Sequence, residues 1–176
     1  MSHIHTEPGQ HDPTVSAFLF RTDFDEPKLM LHRHKLLDRY LQFGGHVELN
    51  ETPWHAIIHE LREEAGYDIE QVQVLQPKER LRELPGAVLH PQPVVQNTHR
   101  LGKDHFHTDI SYAMITNQEP RYSPEEGEST DIQLFTRLEL EALGEDMIIP
   151  NVKYLALYIL DHCIETWEPV SPSAFE

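Results

Sequence analysis

Three glutamates, Glu60, Glu63 and Glu64, crowd the end of the segment PWHAIIHELREEAG, residues 53–66. On a helix of ~100° per residue they fall within an arc of about 100°, with Ala56 between them. Trp54, Ile57, Ile58, Leu61 and Ala65 form the adjoining apolar arc, and His55 and Arg62 lie on the far side. The acids therefore border the stripe that such a helix buries. Like charges at i,i+3 and i,i+4 destabilise a helix by roughly 0.2–0.5 kcal/mol each. The macrodipole also disfavours negative charge near a helix C-terminus. A divalent cation removes both penalties. Hard oxygen donors select Mg²⁺, Mn²⁺ or Ca²⁺, and Mg²⁺ commonly bridges a few carboxylates to the phosphates of a substrate. Taken alone, the acids fit a solvated helix face better.

The residues before the helix change that balance. Gly44-Gly45 ends a strand-like run, Glu51 follows six residues after Gly45, and the helix carries ELREEAGY. Residues 45–67 resemble the Nudix box: Gly, five residues, Glu, seven residues, then Arg-Glu-aliphatic-any-Glu-Glu-any-Gly-aliphatic. Gly45, Glu51, Glu60, Leu61, Glu63, Glu64 and Gly66 match in register. His59 stands in place of the arginine and Tyr67 in place of the last aliphatic residue. The preceding LMLHRHKLLDRYLQFGGHVE is similar to the strand-loop-strand that leads into the box.

The resemblance implies an α/β fold, a Nudix-type α/β/α sandwich with a central mixed β-sheet. It implies a pyrophosphohydrolase, in which water attacks a phosphorus of the pyrophosphate link in a nucleoside diphosphate derivative or nucleotide. Phosphoryl transfer depends mostly on positioning and charge neutralisation, and a bound metal polarises phosphate oxygens and activates water. By the same resemblance Glu60, Glu63 and Glu64 are ligands of Mg²⁺ (or Mn²⁺), with a carbonyl of Gly45 or Gly44 contributing. Glu60 or Glu64 doubles as general base. Glu51 would pair with the arginine that His59 replaces. A further carboxylate would come from a downstream loop, for which PEEGES offers Glu126 or Glu128. His59 lies about 40° from Glu63 on the wheel and four residues before it, so the two can meet. It is expected to be a weakened tether between the 44–52 loop and the helix, not a metal ligand.

The elements that must position these groups are partly readable. TVSAFLFRT (14–22) reads as a buried strand, KLMLHRH (28–34) as its return, and DRYLQF (38–43) as a short third strand. The helix spans about 53–65, with Thr52 as N-cap, Pro53 at its first position and Gly66 at C′. IEQVQVLQ (69–76), HFHTDISYAMIT (105–116) and DIQLFTR (131–137) read as strands, and 124–130 as a loop. A last helix is expected near 151–165, with Cys163 on its apolar face. Residues 77–104 hold four prolines and little periodicity, and substrate choice is expected to lie in the 77–108 region. The 176 residues suit a single domain, with 1–12 as a flexible N-terminal segment.

Two histidine groups stand apart from the box. His105, His107 and Asp109 share one face of a strand, with His99 near in sequence. They could form a second metal site, since imidazole with carboxylate suits zinc, but hydrogen bonding to substrate or a plain polar sheet face is the more ordinary role. His32 and His34 alternate around Arg33, and Arg33 is a candidate phosphate contact but equally a surface arginine.

Composition bounds the partners. There are 14 basic and 30 acidic residues, a net charge of −16 with histidine neutral. Phosphate backbones need basic surface, so neither nucleic acid nor an anionic membrane is the expected partner. No apolar run approaches the ~20 residues of a membrane span, the first residues lack a secretory pattern, and one cysteine suits a reducing cytoplasm. A small nucleotide-like substrate is expected, with a homodimer left open. The second class of function is a catalytically weak or inactive Nudix-fold module that binds a nucleotide-like ligand. Fluorescence anisotropy at low salt, where phosphate contacts are strongest, should show no binding of duplex DNA or RNA. Binding at micromolar protein would overturn the partner assignment.

Overall fold

A computed structural model describes residue 7, residues 9–101 and residues 104–175. Its centre is β1 (His11–Arg21), whose run from Val15 to Arg21 is buried throughout. Such a run, unlike an alternating one, marks a strand covered on both faces. Val15, Ala17 and Leu19 enter one core, Phe18 and Phe20 the other. Around β1 stand β2 (Lys28–His34), β3 (Arg39–Leu41), β4 (Gln73–Gln76), β5 (Val95–Leu101), β6 (His105–Thr116), β7 (Ile132–Phe135) and β8 (Glu168–Val170). The sheet order is β3-β2-β1-β6-β4-β8, with β5 also pairing β6 and β7 pairing β2. β6 pairs parallel with β1 along the whole of β1 and the remaining strand pairs are antiparallel, so the sheet is mixed. The helix α1 (Pro53–Ala65) covers one face through Trp54, Ala56, Ile57, Leu61 and Ala65. The other is covered by α2 (Arg137–Ala142) and α3 (Pro150–His162), with Leu140, Val152, Ala156 and Ile159 in that core. The result is the expected α/β/α sandwich, and Cys163 is buried in the second core as its helical position implied.

The loop before α1 is fixed by backbone bonds to β1. β2 pairs with β1 only near Phe20 and Arg21. Further toward the start of β1, the Val15 N–H donates to the Gly45 carbonyl (2.9 Å) and the Ala17 N–H to that of Phe43 (2.8 Å). Gly44 sits between these bonds at φ 141°, where a Cβ would lie 2.0 Å from the Val15 carbonyl oxygen. The close approach that needs glycine here is to β1 itself. At the start of α1 the Thr52 hydroxyl accepts from His55 N–H (3.2 Å), and Pro53 occupies the first turn.

Several elements differ from the sequence reading. The 69–76 segment opens with a 3-10 turn at Ile69–Gln71 before β4, because the Gln71 amide reaches back to the Asp68 N–H (3.1 Å). This local capping competes with the alternating pattern. Strand β5 emerges from the segment that lacked periodicity, and its alternate residues are exposed, so no apolar signal marks it. The preceding stretch is held by buried Gln76, which exchanges bonds with Gln92 (2.8 and 3.0 Å). A capping box between Thr136 and Glu139 starts α2, where a strand was expected to run on to 137. The segment 1–12 was expected to be flexible. Residues 1–6 and 8 lie outside the described residues, but His11 and Asp12 open β1, because β6 extends far enough to pair with them. Among the described residues no helix is long and apolar enough to cross a membrane.

Gly66 ends α1 in the left-handed conformation (φ 72°), and its carbonyl accepts from Tyr122 N–H (3.0 Å). A Cβ at Gly66 would lie 2.0 Å from the Tyr122 carbonyl oxygen, whereas one at Gly86 (φ 79°) would meet nothing within 4 Å. Left-handed strain alone costs about 1–2 kcal/mol. Gly86→Ala should therefore lower the melting temperature by a few degrees, and Gly66→Ala by at least about twice as much. Equal losses in thermal melts would show that the Tyr122 contact does not constrain position 66.

Candidate active site

Two of the three glutamates of α1 are buried. Glu60 is 8% and Glu64 3% exposed, while the Glu63 side chain is 34% exposed. Placing carboxyls at the border of the apolar stripe has brought two of them under the 42–46 loop and beside β2. Glu64 is the fixed member: its Oε2 accepts from the Gly44 N–H at 2.7 Å. The backbone bonds that flatten the loop on β1 therefore also aim a donor at Glu64.

Burial dominates the electrostatics. It pushes the Glu64 carboxyl up to about 9, with Glu60, Glu128 and Glu63 adding to the rise and the Gly44 N–H opposing it. Burial pushes Glu60 up to about 7, with Glu63, Glu128 and Glu51 in the same sense and His59 opposing. Both shifts have the cause that raises a carboxyl's affinity for protons, loss of water and the presence of like charge. Cation binding at this face would reverse both effects.

The 124–130 loop is tied by its backbone to the end of α1. Glu125 N–H donates to the Glu63 carbonyl (2.8 Å), and Lys35 Nζ to the Gly127 carbonyl (2.5 Å), so the loop lies over the end of α1 and the end of β2. Arg62 stacks on Tyr122, its guanidinium 3.3 Å from the ring centroid. Glu128 is the loop acid whose charge raises both Glu60 and Glu64.

On β2 the structure separates Arg33 from its histidine neighbour. Alternate side chains of a strand point to opposite faces. His32, not Arg33, shares the α1 face, with its Nδ1 3.8 Å from Glu64 Oε1. Arg33 sits against Asp38, Nε to Oδ1 2.8 Å, in the β2–β3 turn. Burial, with His34 beside it, holds His32 down to about 4, so it is neutral at pH 7. Its Nδ1 is buried and has no hydrogen-bond partner among the described residues. At 3.8 Å the contact to Glu64 is too long for a hydrogen bond. An orphaned ring nitrogen beside buried carboxyls is consistent with a polar or cationic group binding there. The oxygen donors of Glu60, Glu63, Glu64 and the loop fit Mg²⁺ or Mn²⁺. The signal for His32 was present: its two-residue spacing from apolar Met30, which faces the same core.

His59 and Glu51 do not form the expected tether. His59 Nε2 pairs with Glu63 Oε1 at 2.6 Å, within the helix. Glu51 accepts from the Glu48 N–H (3.0 Å) and closes its own loop. An imidazole is too short to span to the loop while it holds Glu63, which an arginine fork could do. The loop is held by β1 and by Gly44 instead. The Gly45 carbonyl accepts from Val15, which commits one of its lone pairs.

His105 and His107 lie elsewhere. They gather with Asp12 and His46, His105 Nε2 3.1 Å and His46 Nε2 3.5 Å from Asp12 Oδ2. Asp109, expected to join them, is taken by the hydroxyls of Thr14, Ser16 and Ser111 at 2.6–2.9 Å.

The raised carboxyls set the sign of a pH effect. Glu64 binds its proton more tightly folded than unfolded, so stability is present at low pH and is lost as pH rises from the ordinary carboxyl range toward about 9. His32, held down, acts in the opposite sense only below about pH 6.5. In chelator-treated protein, the melting temperature should fall between pH 6.5 and 8.5. Glu64→Gln should flatten that slope and at pH 8 melt about 2–8 °C higher, for roughly 1–2 kcal/mol. An unchanged slope would mean that Glu64 is already ionised without metal.

The chain resembles known proteins over most of its length. The NUDIX domain model matches residues 10–156. A hydrolase of the NUDIX family from Clostridium perfringens is 32% identical, covers 85% of this chain and 96% of its own, and superposes with a TM-score of 0.70. An Ap4A hydrolase from C. elegans is 15% identical over 75% of this chain and 83% of its own, TM-score 0.55. A UDP-X diphosphatase is 22% identical over 89% of this chain and 65% of its own, TM-score 0.54. The last two show a shared fold. No curated protein sequence matches the chain. With the family model spanning β1–β7, α1 and the acidic loop, the chain belongs to the Nudix family of pyrophosphohydrolases.

Proposed function

We propose that this protein is a metal-dependent hydrolase of the pyrophosphate link in a nucleoside diphosphate derivative or nucleotide, built as a single Nudix domain. The observation that carries the reading is the convergence of Glu60 and Glu64, both buried, with Glu63, Glu51 and Glu128 acting on them. A protein surface gains nothing from such repulsion unless a cation or proton occupies the site. Glu60, Glu63 and Glu64 would hold Mg²⁺ or Mn²⁺, with a Gly44 or Gly45 carbonyl at the edge and Glu128 the loop carboxylate. A bound Mg²⁺ supplies charge neutralisation at phosphate oxygens and a more acidic water.

The chain's own residues do the rest. The Gly44 N–H fixes Glu64 in place at 2.7 Å, so that carboxylate is oriented before substrate arrives. Glu60 or Glu64 would accept the proton of the attacking water. The β2 wall, with neutral His32 and its neighbour His34, places imidazoles next to the acids without adding fixed positive charge. Lys35 pins the acidic loop through Gly127 and leaves a cation near the site's rim. The acid excess directs the site to small phosphorylated molecules carrying their own cation, not to nucleic acid. Two relatives of the same fold act, by their descriptions, on Ap4A and on a UDP derivative, which supports the same class of linkage here.

A phosphate-release panel tests the reading: nucleoside triphosphates, sugar nucleotides, dinucleoside polyphosphates and dinucleotide cofactors, each with and without Mg²⁺. Mg²⁺-dependent turnover is expected on at least one. Glu64→Gln should reduce kcat by roughly 10²–10⁴-fold with the fold intact. Near-normal turnover of that variant at saturating Mg²⁺ would remove Glu64 from the mechanism. Tight binding of one compound with no release would favour the ligand-binding module.

A further inference from the structure

We propose that the protein carries a second divalent-cation site, of zinc-binding type, with Asp12, His105 and His107 as ligands and His46 closing the fourth position. The ligand atoms of Asp12, His105 and His107 all lie within 4.8 Å of one another. Zinc holds nitrogen and oxygen donors at about 2.0–2.2 Å, so tetrahedral ligands stand about 3.4 Å apart. His105 Nε2 and His46 Nε2 are already 3.1 and 3.5 Å from Asp12 Oδ2. Ring rotation of His107, whose centroid is 5.0 Å from that of His46 and 5.5 Å from that of His105, closes the remainder.

The backbone builds this arrangement. Parallel pairing sets Asp12 directly opposite His107. His105, two residues earlier on β6, shares the face of His107. His46 is delivered by the loop after β3, through its bridge to Thr14 and the Val47 N–H bond to the Pro13 carbonyl (3.0 Å). All four donors therefore sit on paired backbone, which keeps a metal site geometrically defined.

Chemistry separates this site from the α1 face. Imidazoles with one carboxylate suit zinc and its neighbours in the first transition row, whereas all-oxygen donors suit Mg²⁺. Asp12 is fully buried. Buried carboxylates pair with charge or coordinate metals, and this one lies among imidazole nitrogens. The site is not one of hydrolysis. It clamps the loop that carries Gly44: His46 stands two residues beyond the N–H that holds Glu64. It shares no ligand with the α1 acids and stands whether or not they act as proposed.

Equilibrium dialysis of chelator-stripped, full-length protein against Zn²⁺, with Mg²⁺ in excess, tests the site. One tight zinc equivalent is expected, unchanged in Glu64→Gln and weakened at least ~10–100-fold in His105→Gln and His107→Gln. Zinc should raise the melting temperature of wild type but not of His107→Gln. Circular dichroism checks that the variants fold, and the absorption spectrum of Co²⁺ in wild type reads the coordination directly without any substitution. Zinc binding that survives both histidine substitutions would place the ion elsewhere, for instance on His3 and His5, and overturn the proposal. So would zinc fully displaced by Mg²⁺, or a Co²⁺ spectrum of octahedral type.

Discussion

The structure around α1 depends on one constraint: two carboxyls, Glu60 and Glu64, are buried against each other and against a sheet. Water no longer solvates them, Glu60 raises the proton affinity of Glu64, and Glu63 and Glu128 raise that of both. A chain tolerates this only if donors or charge are supplied from neighbours. The donor the structure supplies is the N–H of Gly44. That donor exists in the right place because the 42–46 loop replaces β2 as the neighbour of β1, and the replacement demands a residue without a Cβ at position 44. A packing requirement on one side of the loop and an electrostatic one on the other thus meet in a single glycine.

The same economy holds at the far end of the helix. Gly66 ends α1 in a left-handed turn and simultaneously lets the Tyr122 carbonyl approach. From Tyr122 the chain continues into the acidic loop, which is tied to Glu63 by its backbone and to β2 by Lys35. Glu128 therefore reaches the two buried acids because of where a helix cap has been placed. Gly44, just before the box, and Gly66 within it both act through backbone approach, and both approaches decide where a carboxylate or its donor points.

How much of this was legible follows from the range of the interactions. The bounds of α1 could be read closely, since Thr52, Pro53 and Gly66 are local signals that the tertiary structure leaves intact. The carboxylate face was legible from helical period alone. The facing of β2 was not resolved, although alternation from Met30 to His32 encodes it, because an arginine between two histidines draws attention as a phosphate ligand. Strand β5 was hidden because its side chains alternate between partly exposed and exposed, so no apolar period marks it. The gathering of Asp12 with His105 lay beyond reach. It rests on a parallel register over a sequence separation of 93 residues, and no periodicity encodes such a register.

That register also keeps two groups of donor side chains on opposite faces of the sheet. α1 packs on the face that Val15, Ala17 and Leu19 share, whereas Asp12, Thr14 and Ser16 belong to the opposite face. A strand's alternation thus sorts donors before any metal arrives: oxygen-rich acids approach from the helix side, imidazoles gather at the other. The loop carrying Gly44, Gly45 and His46 runs along the edge between them and contributes one residue to each, the N–H of Gly44 to Glu64 and the ring of His46 to Asp12. Two residues of extended chain span ~7 Å, so a displacement of His46 is transmitted to Gly44 with little slack. The position of Glu64 then depends on how firmly the histidine side of the sheet is held.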